Sequence, residues 1–185
     1  EFSTATVHQG DIEPHASTAT WNLDGRLTVW TCTQGSFAIR SSTAAICGVP
    51  ESMVRVIPTE IGGGFGAKVQ AYAEDYVVAG LSKKLGIALK WTEDRSEAFL
   101  ATTHGRGIIG YIDIAATKAG KVLGMKLRLI ADIGAYNTLF TAAIPTFTTL
   151  MANATYDIPQ SSRRATHDST NTAGGTTHNI HGALS

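Results

Sequence analysis

The sequence predicts an α+β fold, strands and helices mixed rather than a repeating βαβ series. Three observations predict it. An Asp-Gly turn joins two short runs of β-branched and aromatic residues, and a glycine-rich stretch at 60–68 precedes a long segment with helical apolar spacing. Residues 107–133 then read as one long hairpin. At 185 residues and 43% hydrophobic, the chain is one domain or part of a larger one, with enough apolar material for a core.

Each element follows from local chemistry. Ala16–Trp21 and Leu27–Thr31 are the arms of a hairpin turned at Asp24-Gly25. Phe37, Ile39, Ala44, Ala45 and Ile46 lie at roughly helical spacing over 37–47, and Gly48 and Pro50 stop that helix. Met53–Ile57 is a strand. A helix is expected from Lys68 to Leu85, with Ala73, Val77, Leu81 and Leu85 every fourth residue and Gly86 as its C′ cap. Ile87–Trp91 is a short strand and Asp94–Leu100 a short helix. In the long hairpin, Ile109, Tyr111 and Asp113 share one face, Gly110, Ile112 and Ile114 the other, and Lys118–Lys121 makes the turn. Residues 138–152 predict a helix broken or kinked at Pro145. No internal repeat is present.

Composition excludes several function classes. Fifteen basic residues balance fifteen acidic ones, which gives no electrostatic case for nucleic acid or an anionic membrane surface. No apolar run approaches the roughly 18 residues of a membrane span. The start lacks the layout of a signal peptide, and a reducing, cytoplasmic setting is expected. Cys32 and Cys47 form no C-x-x-C pair and read as small buried hydrophobes. His8, His15 and His104 have no ligand spacing and read as structural or surface residues; no metal site is assigned. There is no G-x-S-x-G elbow for serine catalysis.

The composition changes abruptly at Gln160/Ser161. Residues 1–160 carry the apolar patterning, whereas 161–185 are rich in Ser, Thr, His, Gly and Asn, with only Ile180 and Leu184 as non-alanine aliphatics. The expectation is a polar, disordered tail, out of frame or vector-derived, like the leading Glu1-Phe2. His178 and His181 form an H-x-x-H pair there, a preorganised site only if the tail is ordered.

Ile61-Gly-Gly-Gly-Phe-Gly-Ala-Lys68 is the most informative stretch. Its glycines permit close approach of backbone to a ligand, and amides before a helix favour an anion. A Walker A loop requires a second Gly where Ala67 stands and a hydroxyl where Val69 stands. A dinucleotide loop is matched by Gly62, Gly64 and Ala67, but no second βαβ unit follows and the acidic candidates, Glu93 and Asp94, come late. A turn that only packs strand on helix is the structural alternative, and a stand-alone nucleotide-binding module using Gly62–Gly66 the functional one.

Four segments in order, Glu13-Pro-His-Ala16, Thr31-Cys-Thr-Gln-Gly35, Val49-Pro50 with Val54-Arg-Val56, and the glycine stretch, resemble the molybdenum hydroxylases. That family includes xanthine dehydrogenase, aldehyde oxidase and the large subunit of aerobic carbon monoxide dehydrogenase. Lys90–Arg95 and Ala131–Tyr136 are similar to later family segments, most like the carbon monoxide dehydrogenase branch. The resemblance covers roughly residues 7–160 and implies a partial molybdenum-cofactor-binding domain.

The resemblance implies molybdopterin, alone or extended as the cytosine dinucleotide, in a full-length parent that hydroxylates an electron-poor carbon. FAD-binding and 2Fe–2S subunits or domains are the implied partners. Gln34 matches the glutamine whose side-chain amide faces an oxygen ligand of molybdenum. Gly64, Phe65 and Gly66 match the loop that meets the cofactor, with Phe65 walling off solvent. Lys68 reads as a solvated lysine. Val69 stands where xanthine dehydrogenases carry a substrate-binding glutamate, so an aldehyde or related substrate fits better than a purine. The downstream arginine loop, the copper-binding cysteine loop and the general-base glutamate of the family are absent. No catalytic residue is therefore assigned, and the chain is expected to be inactive alone, with little or no cofactor. Loss of the downstream packing surface predicts self-association.

Overall fold

The computed structural model describes residues 1–137 and 140–168. It divides into two compact units, one of residues 9–102, the other of 1–8 with the chain from Thr103 onward.

In the first unit, β3 (Ala16–Trp21) and β4 (Leu27–Thr31) form the expected antiparallel hairpin, register Ala19 to Val29. Helix α1 (Ser36–Cys47) crosses over, a single 3-10 turn (Glu51–Met53) follows, and β5 (Val54–Pro58) pairs parallel to β4. The glycine stretch then leads to α2 (Ala73–Leu85), and β6 (Leu89–Thr92) returns to the far edge of the sheet, giving the order β5-β4-β3-β6. A short α3 (Arg95–Ala101) closes the unit, capped by Asp94, whose carboxylate accepts the Glu97 amide while Glu97 returns to the Asp94 amide. Gly48 and Gly86 end α1 and α2 in the left-handed conformation, as expected.

The core between sheet and helices is built from Ala19, Leu27, Val29, Ala44, Val54, Val78 and Ala79. Leu27 and Ile39 are fully buried, each contributing about 1.5–3 kcal/mol relative to exposure. The Trp21 indole donates to the Ala79 carbonyl at 2.9 Å, fixing α2 on β3.

Two expectations for α2 need correction. The helix starts at Ala73 rather than Lys68, because the Lys68 amide and carbonyl bond across to Gln34 instead of along a helix. The face it buries is Asp75, Val78, Ala79 and Ser82, whereas Val77, Leu81 and Leu85 remain 53%, 44% and 57% exposed. Asp75 and Ser82 can lie inside because each has a hydrogen-bond partner: Asp75 accepts from the Thr31 hydroxyl and the Tyr72 amide, and Ser82 donates to the Ile87 carbonyl.

In the second unit, β8 (Ile108–Ala116) and β9 (Val122–Asp132) are the predicted long hairpin, turned at 117–121. Strand β1 (Phe2–Ser3) joins the edge of β8, while β2 (Thr6–His8) pairs with β7 (His104–Arg106) in a separate ribbon where His8 and His104 stack edge to face. Helix α4 (Ala143–Leu150) begins late enough that Pro145 falls in its first turn, where a missing N–H costs nothing. The predicted break is therefore a helix start, with 138–139 outside the described residues.

The break expected at Gln160/Ser161 is absent. Residues Gln160–Asp168 form a strand, β10, running parallel to β9 from Gln160 opposite Gly124 to Asp168 opposite Asp132. Ala165 and His167 point inward, and Arg163 donates to the carbonyls of Thr149 and Leu150 at the end of α4. A parallel partner supplies the backbone bonds that a polar sequence does not advertise. The rest of the tail, with His178 and His181, lies outside the described residues. No helix among the described residues is long and apolar enough to cross a membrane.

Candidate cofactor-binding site

The glycine stretch lies within the first unit on two supports, a strap at Asp11–Glu13 and Gln34 in the turn between β4 and α1. Its backbone approaches both too closely for side chains. A Cβ on Gly62 would sit 2.7 Å from the Glu13 Cβ, and one on Gly64 would sit 2.6 Å from the Gln34 Cδ and Oε1. The run of glycines is thus required by contact, as well as by turning.

Gln34 is brought to the loop. Its Oε1 accepts the amides of Gly66 (3.1 Å) and Lys68 (3.3 Å), and its backbone N–H donates to the Lys68 carbonyl at 2.8 Å. Two donors on Oε1 fix the orientation of the side-chain amide, so Nε2 is left as an outward donor on an exposed residue. Thr33 Oγ1 donates to the same Lys68 carbonyl and accepts from the Gly35 amide.

Phe65 is 75% exposed and has φ of 46°, a left-handed conformation that costs a bulky residue roughly 1–2 kcal/mol. Strain of this kind persists only where the surroundings enforce it. Among the described residues, no protein acceptor takes the amides of Gly64 and Phe65. Phe65 thus carries an exposed aromatic face and an amide without a protein acceptor, next to Gly64, which is buried against the Gln34 side chain.

Lys68 overturns its expectation as a solvated lysine. It is 0% exposed, and its Nζ donates to the Glu13 carbonyl (2.7 Å) and Glu13 Oε2 (2.8 Å), with Asp11 Oδ2 at 3.4 Å. A buried ammonium is tolerated only with such pairing. Glu13 Oε2 also accepts the Gly62 amide at 2.7 Å, and the Glu13 amide donates to the Gly62 carbonyl. Burial pushes the Glu13 carboxyl up. The hydrogen bonds from Lys68 and Gly62 and the Lys68 charge outweigh that and hold it below its usual value.

His15 is buried beside this strap. Its Nδ1 lies 3.1 Å from Glu93 Oε2, which also accepts the His15 amide, and its ring meets Tyr72 edge to face. The Tyr72 hydroxyl donates to the Ala67 carbonyl at 2.8 Å, tying this group to the loop. Cys32 is buried and Cys47 half-buried; both are free thiols, and burial pushes both up. No group of three or more His, Cys, Asp or Glu among the described residues is placed to hold a metal ion.

Asp11, Glu13 and Lys68 were not identified as a group from sequence. The available signal was that Glu13 and Lys68 both sit in the motif segments; nothing local shows that they meet.

Comparison with known proteins decides what the loop belongs to. The family described as the molybdopterin cofactor-binding domain matches residues 1–183, through and beyond Gln160. The chain belongs to that family. The carbon monoxide dehydrogenase large chain of Afipia carboxidovorans is 37% identical over 137 residues, covering 74% of this chain and 17% of that protein. The xanthine dehydrogenase molybdenum-binding subunit of Escherichia coli O157:H7 is 34% identical over 138 residues, covering 73% and 18%. The crystal structure of quinoline 2-oxidoreductase from Pseudomonas putida 86 superposes with a TM-score of 0.88 at 30% identity, over 96% of this chain and 23% of that one. The molybdopterin-domain chain thus spans about a fifth of the length of these relatives.

Proposed function

We propose that this chain is part of the molybdopterin-binding subunit of an oxidoreductase that hydroxylates an aldehyde or related carbon centre. The observation that carries this is the juxtaposition of a fixed Gln34 amide with the unclaimed amides of Gly64 and Phe65. The residues fit the cofactor, because oriented, uncharged donors suit oxygen-rich ligands. Gln34 would donate through Nε2, the loop amides would hold oxygen atoms, and exposed Phe65 would exclude water. When bound, the molybdenum centre supplies the redox chemistry. In the full-length parent, the cofactor is molybdopterin or its cytosine dinucleotide, and FAD-binding and 2Fe–2S subunits carry electrons away.

A nucleotide loop of the dinucleotide or Walker type opens directly onto a helix N-terminus. Here α2 starts only at Ala73, and the amides of Gly62, Gly66 and Lys68 already have acceptors, which favours the molybdopterin reading. The side chain of Val69, next to Lys68, can form no hydrogen bond to a purine, so aldehydes are preferred over xanthine.

The test is to purify the full-length protein with its partner subunits and, separately, residues 1–185. The former is expected to contain molybdenum and oxidise an aldehyde; the latter, lacking a general base, is expected to be silent. Turnover by residues 1–185 would overturn the assignment of no catalytic residue, and a molybdenum-free, inactive full-length protein would overturn the function itself.

A further inference from the structure

We propose that Lys68 is a positioning residue: its buried ammonium clasps the Asp11–Glu13 strap and so preforms the glycine loop and the Gln34 amide before any cofactor arrives. This rests on the functional reading above.

The contacts form a closed circuit. At the start of the loop, Gly62 exchanges two hydrogen bonds with Glu13, one through the carboxylate and one through the backbone. At its end, Lys68 reaches back beneath the loop to the same carboxylate, at 2.8 Å. Glu13 Oε2 therefore joins both ends of the loop through a single atom. The backbone of Lys68 meanwhile exchanges two hydrogen bonds with Gln34, and Gln34 Oε1 takes the Gly66 amide as well. Pulling Lys68 out of place would release the loop start through Glu13 and free the Gln34 amide to rotate.

The charge count shows why the clasp is exacting. With Asp11 and Glu13 ionised, one ammonium faces two carboxylates, and the full burial of Lys68 leaves no water to take its place. The ammonium is spent on the protein, so what the loop offers a cofactor is oriented amides rather than a free cation. Pinning at both ends also accounts for Phe65 being held in its strained conformation without a ligand. A preformed cradle loses less conformational freedom on binding than one that must order itself.

The experiment uses the full-length chain made in cells unable to synthesise molybdopterin, and follows hydrogen exchange of the peptide spanning residues 61–69. In the wild type that peptide is expected to exchange slowly without cofactor. Lys68→Met, which leaves two carboxylates face to face, is expected to speed it by about tenfold or more while the 16–31 hairpin stays protected. Adding Glu13→Gln to Lys68→Met removes one negative charge and keeps an acceptor for the Gly62 amide, and is expected to restore much of the protection. Fast exchange in the wild type, unchanged exchange in Lys68→Met, or no recovery in the double variant would each overturn the clasp. If Lys68→Met also loses the hairpin, the double variant decides alone: slow exchange supports the clasp, fast exchange overturns it. Pterin content of the same variants made in competent cells separates the two ideas. The predicted exchange pattern with no bound pterin in any variant upholds the clasp and defeats the cofactor reading; bound pterin with unaltered exchange does the reverse.

Discussion

The glycine loop and the outer face of α2 invert the usual distribution of polar and apolar groups. Beneath the loop a lysine is completely buried between carboxylates, while Val77, Leu81 and Leu85, four residues apart on α2, lie in solvent. The difference lies in what each needs to be satisfied. The lysine has all its partners within residues 9–102, whereas the α2 stripe has no apolar face opposite it in that unit. The same unit thus carries a fully paired buried ammonium and an exposed apolar stripe.

The comparison can be broken most strongly at Lys68. Lys68→Met should destabilise the full chain by about 3 kcal/mol in urea denaturation, the low end for breaking a buried pair because the Glu13 side chain is 35% exposed. A loss under about 1 kcal/mol would show that the buried charges contribute little. The same pair sets a pH dependence. The Glu13 carboxyl is held below its usual value in the folded state, so its contribution is complete above that value and is lost as pH falls through the lower folded one. Glu13→Gln should flatten stability against pH in that acidic window; an unchanged profile would assign the dependence elsewhere.

Gly64→Ala comes next. The added methyl meets Gln34 at 2.6 Å and should cost about 1–3 kcal/mol while displacing the side-chain amide. Asp94→Ala removes the cap of α3 and should cost about 1 kcal/mol, with no effect on cofactor content. The smallest effect belongs to the exposed stripe. Leu81→Gln should change the stability of residues 1–185 by less than about 0.5 kcal/mol. A markedly larger loss in the full-length protein would show that further chain or a partner covers this face.

Much of this was legible in the sequence, for reasons that differ by element. The Asp-Gly hairpin, the caps at Gly48 and Gly86 and the 108–132 hairpin depend on local chemistry, and all appear where expected. Motif resemblance singled out Gln34 and Gly64–Gly66 separately, while the contact between them, across some thirty residues of sequence, is visible only in the fold. Three features were hidden. The start of α2 depends on Lys68 bonding to Gln34, and the α2 buried face depends on Asp75 and Ser82 finding partners. Strand β10 depends on a parallel neighbour and on only two inward residues, Ala165 and His167, so no hydrophobic period marks it.

The central claim is that Gln34 and the glycine loop hold molybdopterin. The direct test is to release and quantify pterin from the full-length protein and from its Gly64→Ala variant, with circular dichroism confirming that both are folded. The account predicts pterin in the wild type and a large loss in the folded variant. Equal pterin in the two proteins would contradict it.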